Sequence, residues 1–106
     1  MKRSNETKNL SPLKLMVKQN DRYEFVSYYL GCEKSKENPC EVYGMERANH
    51  IVKETIRNGK FVKAWLYDNL DTENKRPQIG VFDTNTMQWT FKESHQHLYQ
   101  KQYGTP

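Results

Sequence analysis

Apolar and polar side chains alternate over two neighbouring runs in the first third of the chain. In "LKLMVK", Leu13, Leu15 and Val17 are separated by polar or flexible side chains, which is the two-residue period of a half-buried strand. The turn-forming letters "QND" follow, and a second run extends from Tyr23 to Leu30. The pattern predicts a β-hairpin whose second strand carries apolar or aromatic side chains on both faces.

The segment "KFVKAWLYDN" returns to the two-residue period and predicts a third strand. One side of this strand holds large or charged side chains: Phe61, Lys63, Trp65 and Tyr67. The other side holds smaller aliphatic ones: Val62, Ala64 and Leu66. Because small and branched aliphatic residues let a helix approach closely, we expect the second set to face the helix and Trp65 and Tyr67 to face away from it.

The run "PQIGVFDTNTMQWTFK" predicts a second hairpin, with the four letters "DTNT" as its turn. In its last strand Trp89 and Phe91 fall on one side together with Met87, and polar residues fall on the other side. This alternation is typical of a sheet with one buried face and one solvated face.

One helix is predicted between the second and third strands. It begins at "NPCE", where Asn38 can cap the helix and Pro39 can take the first helical position, and Gly44 is a candidate interruption. Apolar residues then recur at helical spacing: Met45, Ala48, Val52 and Ile56. Polar and charged residues occupy the opposite arc: Glu46, Arg47, His50, Lys53, Glu54 and Arg57. Gly59 can close the helix in a left-handed conformation.

The elements follow the order β-β-α-β-β-β. This order predicts an α+β fold in which an antiparallel sheet of about five strands carries one amphipathic helix packed across one face. We expect a flexible basic N-terminal arm over residues 1–12, one α+β domain over 13–93 and a partly ordered C-terminal tail over 94–106. A chain of 106 residues is large enough for one core and too small for two.

Composition adds two qualifications to this picture. Leu, Ile, Val and Phe make up only 20 of 106 residues, and 13 residues are aromatic, so the core should be rich in aromatic rings. The net charge of +4 comes from the start of the chain, since residues 1–20 carry five Lys or Arg and one Glu, whereas residues 21–106 carry twelve of each sign. The domain itself is therefore close to neutral, which does not favour a dedicated duplex-binding protein.

The sequence shows no apolar run long enough to span a bilayer and no signal-peptide pattern, so we expect a cytoplasmic protein without membrane contact. Its two cysteines, Cys32 and Cys40, are predicted to be free thiols because disulfides are rare in a reducing cytosol. A crosslink between them would close a short charged loop and contribute about 2–3 kcal/mol at most.

Candidate chemistry is sparse, and we expect no cofactor, no bound metal and no enzymatic activity. Zinc would need a set such as Cys32, Cys40, His95 and His97, whose spacing departs from the usual zinc ligand patterns. A thiol activated by His50 is less favoured than a solvated histidine on the polar arc of the helix. Asp68, Asp71 and Glu73 fit a solvated charged turn, and no glycine-rich phosphate loop is present.

Binding to nucleic acid is harder to exclude than catalysis. Lys14, Lys18 and the arm could neutralise phosphates, while Tyr28, Trp65 and Tyr67 could stack on unpaired bases. The competing interpretation is that these aromatic residues, which lie at strand spacing, pack in the core or against the sheet. The order of elements also differs from the four-stranded RNA-recognition fold.

Protein binding is the leading interpretation. Strands 2 and 3 carry more apolar surface on their two faces than one helix can cover, so the remainder should meet a protein partner, a second copy of the chain or the tail. We expect a small intracellular binding protein that modulates or inhibits a macromolecular partner, of a composition common among phage and mobile-element proteins. Single-stranded nucleic-acid binding is the alternative. The candidate binding residues are Lys14, Lys18, Tyr28, Lys63, Trp65 and Tyr67.

Overall fold

The computed structural model describes residues 11–20, 25–31 and 38–98. These residues include five strands, a long α-helix and a short 3-10 helix. The strands are β1 (Leu13–Gln19), β2 (Val26–Leu30), β3 (Phe61–Asp68), β4 (Gln78–Asp83) and β5 (Gln88–Phe91). The α-helix α1 spans Asn38–Arg57, and the 3-10 helix spans Glu93–His95.

The five strands form one sheet in the order β2-β1-β3-β4-β5, and every neighbouring pair is antiparallel. Helix α1 lies in sequence between β2 and β3 and packs on one side of the sheet, with contacts to β1, β2 and β3. The predicted α+β fold and its element order are confirmed. We call the side of the sheet that meets α1 the helix face and the opposite side the far face.

The core lies between the helix face and α1. The predicted apolar stripe of the helix faces the sheet, since Met45, Ala48 and Val52 are fully buried and Ile56 packs against the core at its edge. β1, β3 and β5 contribute alternate residues, as period-two burial requires, whereas Ile79 of β4 is the residue passed over by a bulge in the pairing with β3. The main buried strand residues are Leu13, Leu15, Val17, Ala64, Leu66, Ile79, Phe82, Trp89 and Phe91.

Aromatic rings supply the half of the core under β4 and β5. The rings of Phe82 and Trp89 meet edge to face with centroids 5.3 Å apart, and Phe61 meets Phe82 at 5.9 Å. The buried indole of Trp89 donates a hydrogen bond of 2.8 Å from Nε1 to Oδ1 of Asn49 on α1. This bond satisfies a polar group that would otherwise be buried without a partner.

Gly44 does not interrupt the helix, which runs through it for 20 residues. A Cβ atom at this position would lie 2.9 Å from Cδ1 of Leu13, closer than real side chains approach. The missing side chain therefore allows α1 to lie close against β1. Gly44, which the sequence pattern suggested as an interruption of the helix, is instead the point at which the helix packs against Leu13.

A β-bulge changes the face of the first two residues of β3. Lys18 pairs with Lys63, but the next residue of β1, Gln19, pairs with Phe61, so Val62 is passed over. Phe61 consequently turns to the helix face and packs against the core, while Val62 is 46% exposed. The strict alternation predicted from sequence was wrong for these two residues and right for residues 63–67.

The start of the described chain is tied to the turn that follows β3, and its end is buried in the core. Asn69 donates its backbone N–H to the carbonyl of Pro12 at 3.0 Å and its side-chain amide to the carbonyl of Ser11 at 2.8 Å. At the other end, Leu98 is fully buried in the core. Sequence patterns placed Ser11 and Pro12 in the arm and gave Leu98 no part in the core.

Candidate binding face

The far face at the centre of the sheet is built by alternate residues of β1 and β3. β1 contributes Lys14, Met16 and Lys18, and β3 contributes Lys63, Trp65 and Tyr67. The two strands are adjacent, so these six side chains form three cross-strand pairs. The pairs are Lys14 with Tyr67, Met16 with Trp65, and Lys18 with Lys63.

Lys14 lies between two tyrosines. It pairs with Tyr29 on β2 and with Tyr67 on β3, and its Nζ is 5.7 Å from the centroid of the first ring and 5.8 Å from that of the second. Both distances are in the range of a cation–π contact. The ammonium group is thus held over the sheet between two half-buried rings rather than extended into solvent.

Trp65 occupies the middle of the far face. Its strand neighbours are Met16 on one side and Val81 on the other, so the central row of the face is apolar. Phe25, which precedes β2, meets the indole edge to face with ring centroids 5.5 Å apart and is itself 50% exposed. The face therefore presents an aromatic surface of two rings in contact.

The third pair places two lysines directly opposite each other. Like charges in this position repel and destabilise a sheet. Lys63 directs its Nζ toward the ring of Trp65, at 5.8 Å from the centroid, while Lys18 is exposed. Within the described part of the chain, none of the three lysines Lys14, Lys18 and Lys63 forms an ion pair. Asp83 at the end of β4 is an acidic residue on the same face.

Five of the six residues proposed from sequence therefore lie together, and Tyr28 does not. Tyr28 pairs with Leu15 and turns to the helix face, where it packs against the core. There it borders a groove of about 270 Å³ lined also by Gln19, His50, Glu54, Thr55 and Lys60. The aromatic residues on the far face that were not proposed are Phe25 and Tyr29, although strand alternation places both on the side opposite Tyr28.

The two histidines considered as zinc ligands lie close together and are each paired with a carboxylate. Nε2 of His95 is 3.0 Å from Oδ2 of Asp68, and Nε2 of His97 is 3.4 Å from Oε2 of Glu41. The two rings are 5.8 Å apart. No group of three or more His, Cys, Asp or Glu side chains in the described ranges is arranged to hold a metal ion.

His95 also links a serine to a buried carboxylate. Its Nδ1 lies 2.8 Å from Oγ of Ser94, and its Nε2 contacts Asp68, whose side chain is 6% exposed. This connectivity resembles a nucleophile, a base and an orienting acid. However, Ser94 and His95 are neighbours in one 3-10 turn, and Asp68 also accepts a hydrogen bond from the N–H of Leu70. We interpret these contacts as structural: they hold the segment after β5 against the end of β3.

Cys40 is disulfide-bonded, so the prediction of two free thiols was wrong. The chain contains one other cysteine, Cys32, which lies outside the described residues. The contacts of Gly31 explain why a crosslink fits here. A Cβ atom on Gly31 would lie 2.9 Å from the carbonyl oxygen of Cys40, so the end of β2 touches the first turn of α1. Cys32 follows Gly31 directly in the sequence.

Thiol counting tests the disulfide. Protein from its native source, unfolded without reductant, is expected to show no reactive thiol, and reduction should release two. Reduction should also lower the free energy of unfolding by about 2–3 kcal/mol, because a closed loop restricts the unfolded chain. A Cys40→Ser variant serves as the control, with one thiol reactive from the start. Two reactive thiols before reduction would contradict the bond.

Comparison with protein-family models, with curated proteins and with solved structures gives no match. Among the described elements, no helix has both the length and the apolar character needed to cross a bilayer.

Proposed function

We propose that this protein is a non-enzymatic binding protein that modulates an acidic macromolecular partner through the far face of its sheet. The observation that carries the proposal is the set of three lysines on β1 and β3 that form no ion pair among the described residues. Lys14 lies between two tyrosine rings, and Lys63 lies beside Trp65. A negatively charged partner complements such a surface.

Folding alone does not account for the residues at these positions. Lys18 and Lys63 repel each other across the strands, and the half-exposed ring of Phe25 remains outside the core. A sheet selected only for stability would favour opposite charges at positions 18 and 63 and a polar side chain at position 25. A bound anion relieves the repulsion, and apolar contact with Trp65 and Phe25 adds burial.

The described segment after β5 does not occupy this face. Leu98 packs into the core on the helix face, His95 pairs with Asp68 at the end of β3, and His97 pairs with Glu41 in the first turn of α1. Two candidates for covering the far face are a macromolecular partner and a second copy of the chain. The lysines disfavour the second copy, because identical cationic faces repel each other.

The cytoplasmic location stays a prediction. The disulfide at Cys40 removes the support that free cysteines would have given it, because thiols in a reducing cytosol usually remain free.

Trp65→Ala is expected to abolish capture of the partner from the native host. Central aromatic anchors contribute about 2 kcal/mol or more to an interface, equivalent to about 30-fold in affinity. Tyr43→Ala is the matched control, because Tyr43 is an aromatic residue of α1 that is 53% exposed and lies away from the far face. The measurement is a comparison of the macromolecules retained by the three immobilised proteins. Equal retention by Trp65→Ala and the unmodified chain would refute the proposal.

A further inference from the structure

We infer that the acidic partner is a single strand of nucleic acid that lies across the far face. This inference rests on the proposed function and gives its partner a chemical class.

Cationic and aromatic groups are interleaved on the far face rather than separated. Lys14 lies between Tyr29 and Tyr67, and Lys63 lies beside Trp65 on the same strand, with its ammonium 5.8 Å from the indole centroid. The complementary ligand must also alternate flat apolar groups with negative charges. Single-stranded nucleic acid has this pattern, since each nucleotide brings one base that can stack and one phosphate that can meet a lysine.

An acidic protein fits this arrangement less well. Protein interfaces place apolar residues at the centre and charges at the rim, and lysine is depleted from the centre. Here Lys14 lies on β1, an interior strand of the sheet, with a tyrosine on each side. Burial of this ammonium against a protein would cost desolvation energy that only a well-placed carboxylate could offset. A nucleic-acid backbone offers a negative charge at every nucleotide.

Double-stranded DNA is also disfavoured. In a duplex the flat surfaces of the bases are stacked on each other, so Trp65 and Phe25 could not stack on them. A duplex would use only the lysines, and the exposed pair of rings would contact no base. The observed face therefore fits unpaired bases better than paired ones.

The salt dependence of binding follows from the number of lysines. Three phosphate contacts on a single strand give a slope of about −2 in a plot of log K against log salt concentration, at about −0.7 for each contact. Lys2, Arg3 and Lys8 can add contacts in the full chain and make the slope steeper. Removing one far-face lysine should reduce the slope by about 0.7 in either case.

The experiment measures binding of a fluorescently labelled oligothymidylate to the full chain by anisotropy, over a series of NaCl concentrations. Trp65→Ala should weaken binding by about 5- to 150-fold, the effect expected for loss of one stacked base. Lys14→Gln should reduce the salt slope, whereas Lys53→Gln on the polar side of α1 should leave it unchanged. A duplex of the same length should bind more weakly than the single strand.

Tryptophan fluorescence gives an independent signal for stacking. The chain has two tryptophans, and Trp89 is buried in the core, so quenching by the oligonucleotide reports on Trp65. Trp65→Phe should retain most of the affinity, because a phenyl ring also stacks, while the quenching is lost. Binding without quenching in the unmodified chain would overturn the stacking geometry.

The outcomes separate the inference from the proposed function. If the oligonucleotide does not bind at low salt but Trp65→Ala still loses a nuclease-resistant partner from the host, the partner is a protein, and only the inference fails. If Trp65→Ala changes neither oligonucleotide binding nor host capture, both the inference and the proposed function fail. Oligonucleotide binding that is lost in Trp65→Ala and kept in Tyr43→Ala supports both.

Discussion

Trp89→Ala is expected to lower the free energy of unfolding by about 3–5 kcal/mol, a large share of the stability of a domain this size. The Trp89 side chain is 1% exposed, and its ring contacts those of Phe82 and Phe91. The substitution removes these contacts, leaves a cavity and removes the hydrogen bond from the indole to Asn49. Urea denaturation followed by far-UV circular dichroism measures the loss without relying on tryptophan fluorescence.

Trp65→Ala is the control for this prediction, because it removes the same atoms from the opposite face of the sheet. Trp65 is only half-buried and lies against Met16, Val81 and Phe25. No cavity forms at a surface position, so we expect a cost well below that of Trp89→Ala. A larger loss of stability for Trp65→Ala than for Trp89→Ala would show that the two faces are assigned the wrong way round.

Gly31→Ala is expected to cost about 2–5 kcal/mol. Gly31 has φ of +103°, a conformation that L residues with a side chain rarely adopt, and forcing one into it costs about 1–2 kcal/mol. In addition, the new Cβ would lie 2.6 Å from Cγ of Pro12 and 2.9 Å from the carbonyl oxygen of Cys40. Neither a proline ring nor a backbone carbonyl moves easily, so overpacking adds about 1–3 kcal/mol.

Gly59→Ala separates the two contributions. Gly59 also has a positive φ, +74°, but a Cβ atom there would meet nothing within 4 Å. The control should therefore show the backbone term alone, about 1–2 kcal/mol. Thermal or urea denaturation of both variants under the same conditions gives the comparison. Equal costs at the two glycines would mean that the contact of β2 with the first turn of α1 is looser than described.

The fold was predictable because local periodicities in this sequence agree with the tertiary structure. The alternation over Leu13, Leu15 and Val17 and the stripe of Met45, Ala48 and Val52 are local signals, and each side chain so marked is buried. Local signals identify which face of an element is apolar. They do not show what the element will pack against.

The features that sequence patterns missed depend on neighbours that are distant in the chain. Phe61 turns to the helix face because β3 pairs with β1 through a bulge, and Gly44 lies inside the helix because Leu13 packs against that point. Cys40 lies beside Gly31 only when α1 has docked on the sheet. Each of these facts requires the topology, which no single window of residues contains.

The candidate site was predicted in part for the same reason. Strand alternation placed Trp65, Tyr67 and Lys63 on one side of β3, and Lys14 and Lys18 on one side of β1, and the structure agrees. These residues form one face only because β1 and β3 are neighbours in the sheet, and that pairing is not visible in either strand alone. Tyr28 lies on the helix face, because neighbouring residues of a strand point to opposite sides and Tyr29 is on the far face.

The strand order has a consequence for how the molecule holds together. The β1–β2 hairpin and the β3–β4–β5 meander are each local in sequence, and within the sheet they are joined by the pairing of β1 with β3. The far-face residues are drawn from both sides of this seam, with Lys14 on one half and Trp65 on the other. A ligand that contacts both residues adds a link across this pairing. Because the ligand binds only the folded sheet, binding raises the free energy of unfolding of the domain by mass action.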